Sequence, residues 1–120
     1  MLCSSSQNIY NFRIPLIRKF EEEGYEVYTT AFDDEYSDVL KENSVRFSVI
    51  HDSNRSLNFI KILSLKNKYH KLINQIKPDI VFTFMLKPNT FGVLAAYKAG
   101  VENIYSMVEG AGEFFLSQIL

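Results

Sequence analysis

A chain of 120 residues that is 47% hydrophobic, 14% aromatic and 22% charged has the apolar content for a real core and the length of one domain. A formal net charge of −1 supplies no basic field for nucleic acid, and no apolar run approaches the roughly 20 residues a membrane span requires. The single cysteine, Cys3, excludes an intrachain disulfide, fits a reducing cytoplasmic compartment, and reads as a small buried apolar residue.

In chain order, Met1, Leu2 and Cys3 precede the polar turn Ser4-Ser5-Ser6, which allows only a short first strand. Ile9, Phe12, Leu16, Ile17 and Phe20 recur at helical spacing, with Gly24 just past the end as a C-terminal cap. Pro15 requires that the regular helix start near Phe12 or be kinked. Residues 25–30 are rich in β-branched and aromatic side chains and predict a second strand; a short acidic helix over 35–42 and a third strand over 45–50 follow. Ile62, Leu65, Tyr69, Leu72, Ile73 and Ile76 form a helical apolar stripe that Pro78 ends.

Residues 79–84 and 103–108 predict two more strands, separated by the turn 87–90 and a small-residue helix. Strands alternating with helices predict an α/β fold, a Rossmann-like parallel sheet with helices on both faces. Ligands of such sheets bind beyond the carboxyl ends of the strands, so the first turn, the loop after residue 84 and the loop at 109–112 are the places to look for chemistry.

Each of these places carries suitable residues. Ser5 and Ser6 offer hydroxyls and backbone N–H groups to a sugar or phosphate, or else merely cap the first helix. Arg13 could bring a planar fork of donors to the same crevice, or form a surface salt bridge with acidic neighbours. Lys87 is a point charge for a phosphate or carboxylate, Asn89 a ligand contact or a helix cap, and Glu109, beside Gly110 and Gly112, a candidate general base or sugar-hydroxyl acceptor.

Charge is distributed unevenly. Nine acids fall between Glu21 and Glu42, whereas residues 53–78 contain none and carry Arg55, Lys61, Lys66, Lys68, Lys71 and Lys77. The lysine-flanked helix suits either packing on the sheet or contact with an anionic membrane surface. No phosphate loop or dinucleotide fingerprint is present, and His51 and His70 lack metal-site spacing. Asp33-Asp34, after the second strand, reads as a solvated turn and helix cap.

The stretches 8–16, 23–27, 56–58, 76–81, 87–96 and 108–112 together resemble the N-terminal, acceptor-side domain of glycosyltransferase family 4, in order and over nearly the whole chain. Within that family they are most similar to bacterial enzymes that add N-acetylgalactosamine to an undecaprenyl-diphosphate-linked sugar. The resemblance implies one Rossmann-like half of a GT-B fold, with residues 1–120 an incomplete acceptor-side domain and the donor-binding half outside the sequence. It implies retaining transfer from a nucleotide sugar to a lipid-linked or polysaccharide acceptor at the inner face of the cytoplasmic membrane, without an obligatory metal or other cofactor.

Acceptor and diphosphate contacts then fall on Ser5, Ser6, Arg13, Lys87, Asn89, Gly110 and Gly112, with Glu109 as the catalytic candidate. A cleft between two domains cannot close with one of them, so these 120 residues alone are expected to be inactive. The alternatives are a stand-alone module binding a phosphorylated or sugar ligand, and half of a GT-B sugar epimerase.

Overall fold

The computed structural model describes residues 1–52 and 58–108. Four strands, β1 (Tyr28–Ala31), β2 (Arg46–Val49), β3 (Ile80–Phe84) and β4 (Asn103–Met107), pair in parallel as β1 with β2 and β3 with β4. Leu2 completes the sheet by bridging in parallel to Thr30 on one side and Thr83 on the other. The order across the sheet is therefore β2, β1, the Leu2 segment, β3, β4, with the short first segment at the centre, its usual place in such sheets.

The first helix begins at α1 (Ser6–Asn8), passes through a π-helical stretch (Ile9–Arg13) and continues as α2 (Ile14–Glu22). Regular α2 thus begins at Ile14, near Phe12 as Pro15 requires, with the α1 turn and the wide turn ahead of it; the proline stands at the start of α2, where its missing donor leaves no interior bond unmade. Gly24 adopts φ +94° and closes the helix end as expected. The acidic helix is α3 (Ser37–Glu42).

Helix α4 (Phe59–Ile76) starts where the Asn58 side chain accepts the N–H groups of Ile60 and Lys61 at 2.9 and 3.4 Å. It ends at Lys77, whose left-handed φ of 52° lets its N–H reach the Ile73 carbonyl at 2.7 Å just before Pro78. A second π-helical stretch (Pro88–Gly92) leads into α5 (Val93–Lys98).

Each face of the sheet has its own core. Leu2, Leu65, Tyr69, Ile73, Val81, Ala95 and Ala96 join α4 and α5 to one face. Cys3, Ile9, Ile17, Ala31, Leu40 and Phe84 join α2 and α3 to the other. Each fully buried aliphatic side chain contributes about 1.5–3 kcal/mol through burial, which fixes the face of every strand and hence the register that carries the loops. Gly92 permits the closest approach: a Cβ there would sit 2.8 Å from Leu2 Cδ1, so its absence lets the π-helical stretch lie against the central segment.

Candidate functional site

At the carboxyl edge of the sheet the first turn, the loop after β2 and the loop after β3 converge. The turn is bound to the protein more thoroughly than its serines suggest. Ser4 Oγ donates to Met85 Sδ at 2.7 Å, and Ser5 Oγ accepts the Asn8 N–H at 3.2 Å as the cap of α1. Ser6 is buried, donates through its hydroxyl and its N–H to the two carboxylate oxygens of Asp33, and accepts the Tyr36 N–H at 3.1 Å. Asp33, expected as a solvated turn, instead ties the loop after β1 to the first turn, and it also accepts the Glu35 N–H at 3.2 Å.

Arg13 closes the first π-helical stretch and is only 6% exposed. Its guanidinium carbon lies 4.1 Å from the ring centroid of Phe84, and Nη1 stands 3.8 Å from Met107 Sδ. Phe84 in turn stacks on Phe82 with centroids 5.0 Å apart. The surface salt bridge to the acidic cluster is formed by another arginine: Arg18 Nη1 pairs with Glu21 Oε2 at 2.9 Å. A planar cation is thus held over an aromatic face between the ends of β3 and β4, in place before any ligand arrives.

The loop after β3 begins with Met85 at φ +75°, an uncommon conformation for a residue with a side chain, which ends the strand and turns the chain into Lys87. Lys87 Nζ lies 2.7 Å from Asp52 Oδ2, with the two side chains 4% and 8% exposed, and 6.0 Å from the centroid of Phe32. The cation expected to meet a ligand directly therefore joins this loop to the one that follows β2. Beside the pair is a cavity of about 300 Å³ lined by His51, Asp52, Lys61, Ser64 and Lys68, where Lys68 Nζ donates to the His51 carbonyl at 3.0 Å.

Both polar atoms of the Asn89 side chain are hydrogen-bonded. Its Oδ1 accepts from Thr83 Oγ1 at 2.7 Å and its Nδ2 donates to the Met107 carbonyl at 2.9 Å. Because Thr83 spends its one proton on Asn89, the 2.7 Å contact between Thr83 and Ser106 has the Ser106 hydroxyl as donor. The resulting chain, Ser106 to Thr83 to Asn89 to Met107, fixes where β4 delivers the segment that follows. Glu109, Gly110 and Gly112 lie outside the described residues.

Sequence reasoning missed Asp52, Thr83 and Ser106, and read Asp33 only as part of a solvated turn and helix cap. The signal for Asp52 was available, since it follows the third strand on the same edge as Lys87. Among the described residues no cluster of three metal-ligating side chains occurs, and no helix is long and apolar enough to cross a membrane.

A family model described as "Glycosyl transferase 4-like" matches residues 1–114. Over 119 residues the chain is 32% identical to the N,N'-diacetylbacillosaminyl-diphospho-undecaprenol alpha-1,3-N-acetylgalactosaminyltransferase of Campylobacter jejuni, covering 98% of this chain and 31% of that protein. Its fold is similar to the crystal structure of Acinetobacter baumannii MurG, with a TM-score of 0.70 at 22% identity, covering 99% of this chain and 37% of that one. The chain spans about a third of the length of either protein. With a parallel sheet layered on both faces by helices, the fold of half a GT-B enzyme, and with the family match running through nearly every element, this chain belongs to the glycosyl transferase 4-like family.

Proposed function

We propose that these residues form the acceptor-side half of a retaining glycosyltransferase that moves a sugar from a nucleotide-sugar donor to an undecaprenyl-diphosphate-linked acceptor. The observation that carries this reading is Arg13, buried to 6% and stacked 4.1 Å over Phe84 at the carboxyl edge of the sheet. A guanidinium held in one plane presents paired donors at fixed spacing, which suits a diphosphate, and holding it in place beforehand reduces the cost of binding. The likeness to the Campylobacter transferase, whose name specifies an undecaprenol diphosphate acceptor, supports the same chemistry.

In this reading Ser5, Ser6, Lys87 and Asn89 shape the acceptor crevice, Gly110 and Gly112 approach the diphosphate, and Glu109 is the catalytic candidate. Ser6, Lys87 and Asn89 act chiefly through the contacts they make within the protein, as positioning residues. The cavity lined by His51, Lys61 and Lys68 adds positive character on the acceptor side.

Contact with the cytoplasmic membrane face belongs to this proposal. At the start of α4, Phe59 and Ile60 are 73% and 76% exposed, and Leu63 is exposed beside them, among the lysines of the same helix. Apolar tips within a basic surface suit an anionic bilayer that presents a lipid-linked acceptor.

The test is the Arg13→Met variant in the complete enzyme, assayed with an undecaprenyl-diphosphate-linked acceptor. The expected outcome is a loss of at least roughly tenfold in kcat/KM, with retention of the donor's anomeric configuration in the wild-type product. Unchanged kinetics remove Arg13 from the site, and an inverted product overturns the retaining mechanism.

A further inference from the structure

The cavity of about 300 Å³ beside the Lys87–Asp52 pair carries a positive charge that its lining does not cancel. Lys61, Ser64 and Lys68 follow one another at i, i+3 and i+7, so α4 lines one wall with a single stripe, and His51 and Asp52 of the loop after β2 supply the other. Leu65, Tyr69 and Ile73 take the core face of the same helix, which leaves the stripe exposed beside it.

Asp52 is the one acid among the described lining residues, and its Oδ2 is already taken by Lys87 Nζ at 2.7 Å. Lys68 Nζ donates to the His51 carbonyl at 3.0 Å, a neutral partner. Neither Lys61 nor Lys68 is paired with a carboxylate among the described residues. Two ammonium groups, a hydroxyl and an imidazole therefore share one concave space, at the lower end of the size range of small-molecule sites.

Position separates this anion site from the diphosphate contact. Arg13 lies over Phe84 between the ends of β3 and β4, on the face of the sheet that carries α2. The cavity lies at the end of β2, on the face that carries α4. With strands about 4.8 Å apart, the two stand about three strands, on the order of 15 Å, from each other, too far for a single diphosphate to occupy both. We propose that the cavity is a second acceptor subsite, which takes the carboxylate of a hexuronic acid carried by the same lipid-linked acceptor. This rests on the transferase reading above. Lys61 and Lys68 hold the carboxylate as point charges, and Ser64 and the His51 ring hydrogen-bond neighbouring sugar hydroxyls. A neutral hexose of the same shape gains no charge-assisted contact, so the subsite selects acidic acceptors.

The probes are methyl glucuronide and methyl glucoside, added to the complete enzyme while its lysines are acetylated by a limiting reagent and read by mass spectrometry. The glucuronide should slow acetylation of Lys61 and Lys68 saturably, by at least roughly fivefold with a Kd of roughly 1–10 mM, and leave Lys71 of the same helix unchanged. The glucoside should bind at least about tenfold more weakly. Lys61→Gln combined with Lys68→Gln should abolish saturable glucuronide binding in calorimetry while moving Tm by less than about 2 °C, since both side chains are exposed.

Absence of saturable protection overturns the proposal, and so does equal protection by the glucoside or undiminished binding in the double variant. Tighter protection by inorganic pyrophosphate than by the glucuronide would make the cavity a phosphate subsite, and protection by phosphatidylglycerol vesicles alone would make it a lipid headgroup site; either outcome also overturns it. None of these readouts passes through sugar transfer or Arg13. Failure here therefore leaves the transferase reading intact, and failure of the Arg13→Met test leaves the glucuronide result as measured.

Discussion

Lys87 and Asp52, 35 residues apart in sequence, meet at 2.7 Å with both side chains almost wholly buried, and in doing so fasten the loop after β2 to the loop after β3. Burying two charges costs desolvation that their attraction roughly offsets, but leaving one of them alone is expensive. Lys87→Met should therefore lower unfolding stability by about 3–5 kcal/mol, and the double variant Lys87→Met, Asp52→Leu should recover most of that loss. Urea denaturation of the four members of this cycle measures it; equal losses in the single and double variants would mean the pair is not the source.

Asn89 joins Thr83 to the Met107 carbonyl, so a single-atom exchange tests it. In Asn89→Asp the oxygen that accepts from Thr83 survives, while the donor to Met107 becomes a second acceptor facing a carbonyl. A loss of about 1–3 kcal/mol is expected. Faster hydrogen exchange concentrated in β4 should accompany it, because β4 is the strand this amide anchors; uniform acceleration across the sheet would contradict that local role.

Tyr69 is 0% exposed and its hydroxyl has no hydrogen-bond partner among the described residues. Tyr69→Phe should accordingly be neutral or stabilising by up to about 1 kcal/mol, whereas Tyr69→Ala should cost about 3–5 kcal/mol through the cavity it leaves beneath Phe32.

The same hydroxyl sets an alkaline limit. Burial, reinforced by Cys3 and Asp52, pushes its pKa upward from 10.0. A raised folded pKa means that stability is complete below the unfolded pKa and is lost as pH climbs toward the folded value. Above about pH 10 the unfolded chain releases a proton that the folded chain keeps, and stability should fall by up to about 1.4 kcal/mol per pH unit. Tyr69→Phe should flatten that slope in denaturation series run from pH 9 to about 11.5. An unchanged slope would place the alkaline transition elsewhere.

Phe59 and Ile60 stand in solvent at the start of α4. Replacing both by Ser should reduce co-sedimentation with vesicles of anionic phospholipid by at least roughly fivefold and leave the melting temperature within about 2 °C, because neither side chain contributes to a core. Equal sedimentation of the variant would assign the exposed pair another role.

Much of this architecture could be read from local chemistry. Runs rich in β-branched and aromatic residues located four strands to within about three residues, and the stripe from Ile62 to Ile76 named the buried face of α4 through Leu65, Tyr69 and Ile73. The carboxyl-edge rule selected the edge where the first turn and the loops after β2 and β3 meet. What local chemistry could not supply was pairing at a distance. Whether Lys87 faces a ligand or Asp52 depends on how two loops fold toward each other, and whether Ser6 is a ligand contact or a partner of Asp33 depends on the register of the Leu2 segment against β1. The wide turn ahead of the regular helix was hidden for a related reason. Pro15 requires a late start or a kink, and the sequence contains no sign that a π-helical turn would supply the chain before it.

The two wide turns also give this domain an unusual tolerance of deletion. Each already absorbs one residue more than an α-helical turn holds, so removing one residue from Ile9–Arg13 would let that stretch wind as an ordinary helix without much changing its length or the relation of the faces on either side of it. Cys3 and Ile17, on either side of the stretch, would still share one core. Pro88–Gly92 stands in the same relation to α5, whose Ala95 and Ala96 pack on the opposite face. Among related proteins, a one-residue gap at either place therefore signals a wide turn lost, and the arginine or asparagine within it differently presented, on a helix whose faces are unchanged.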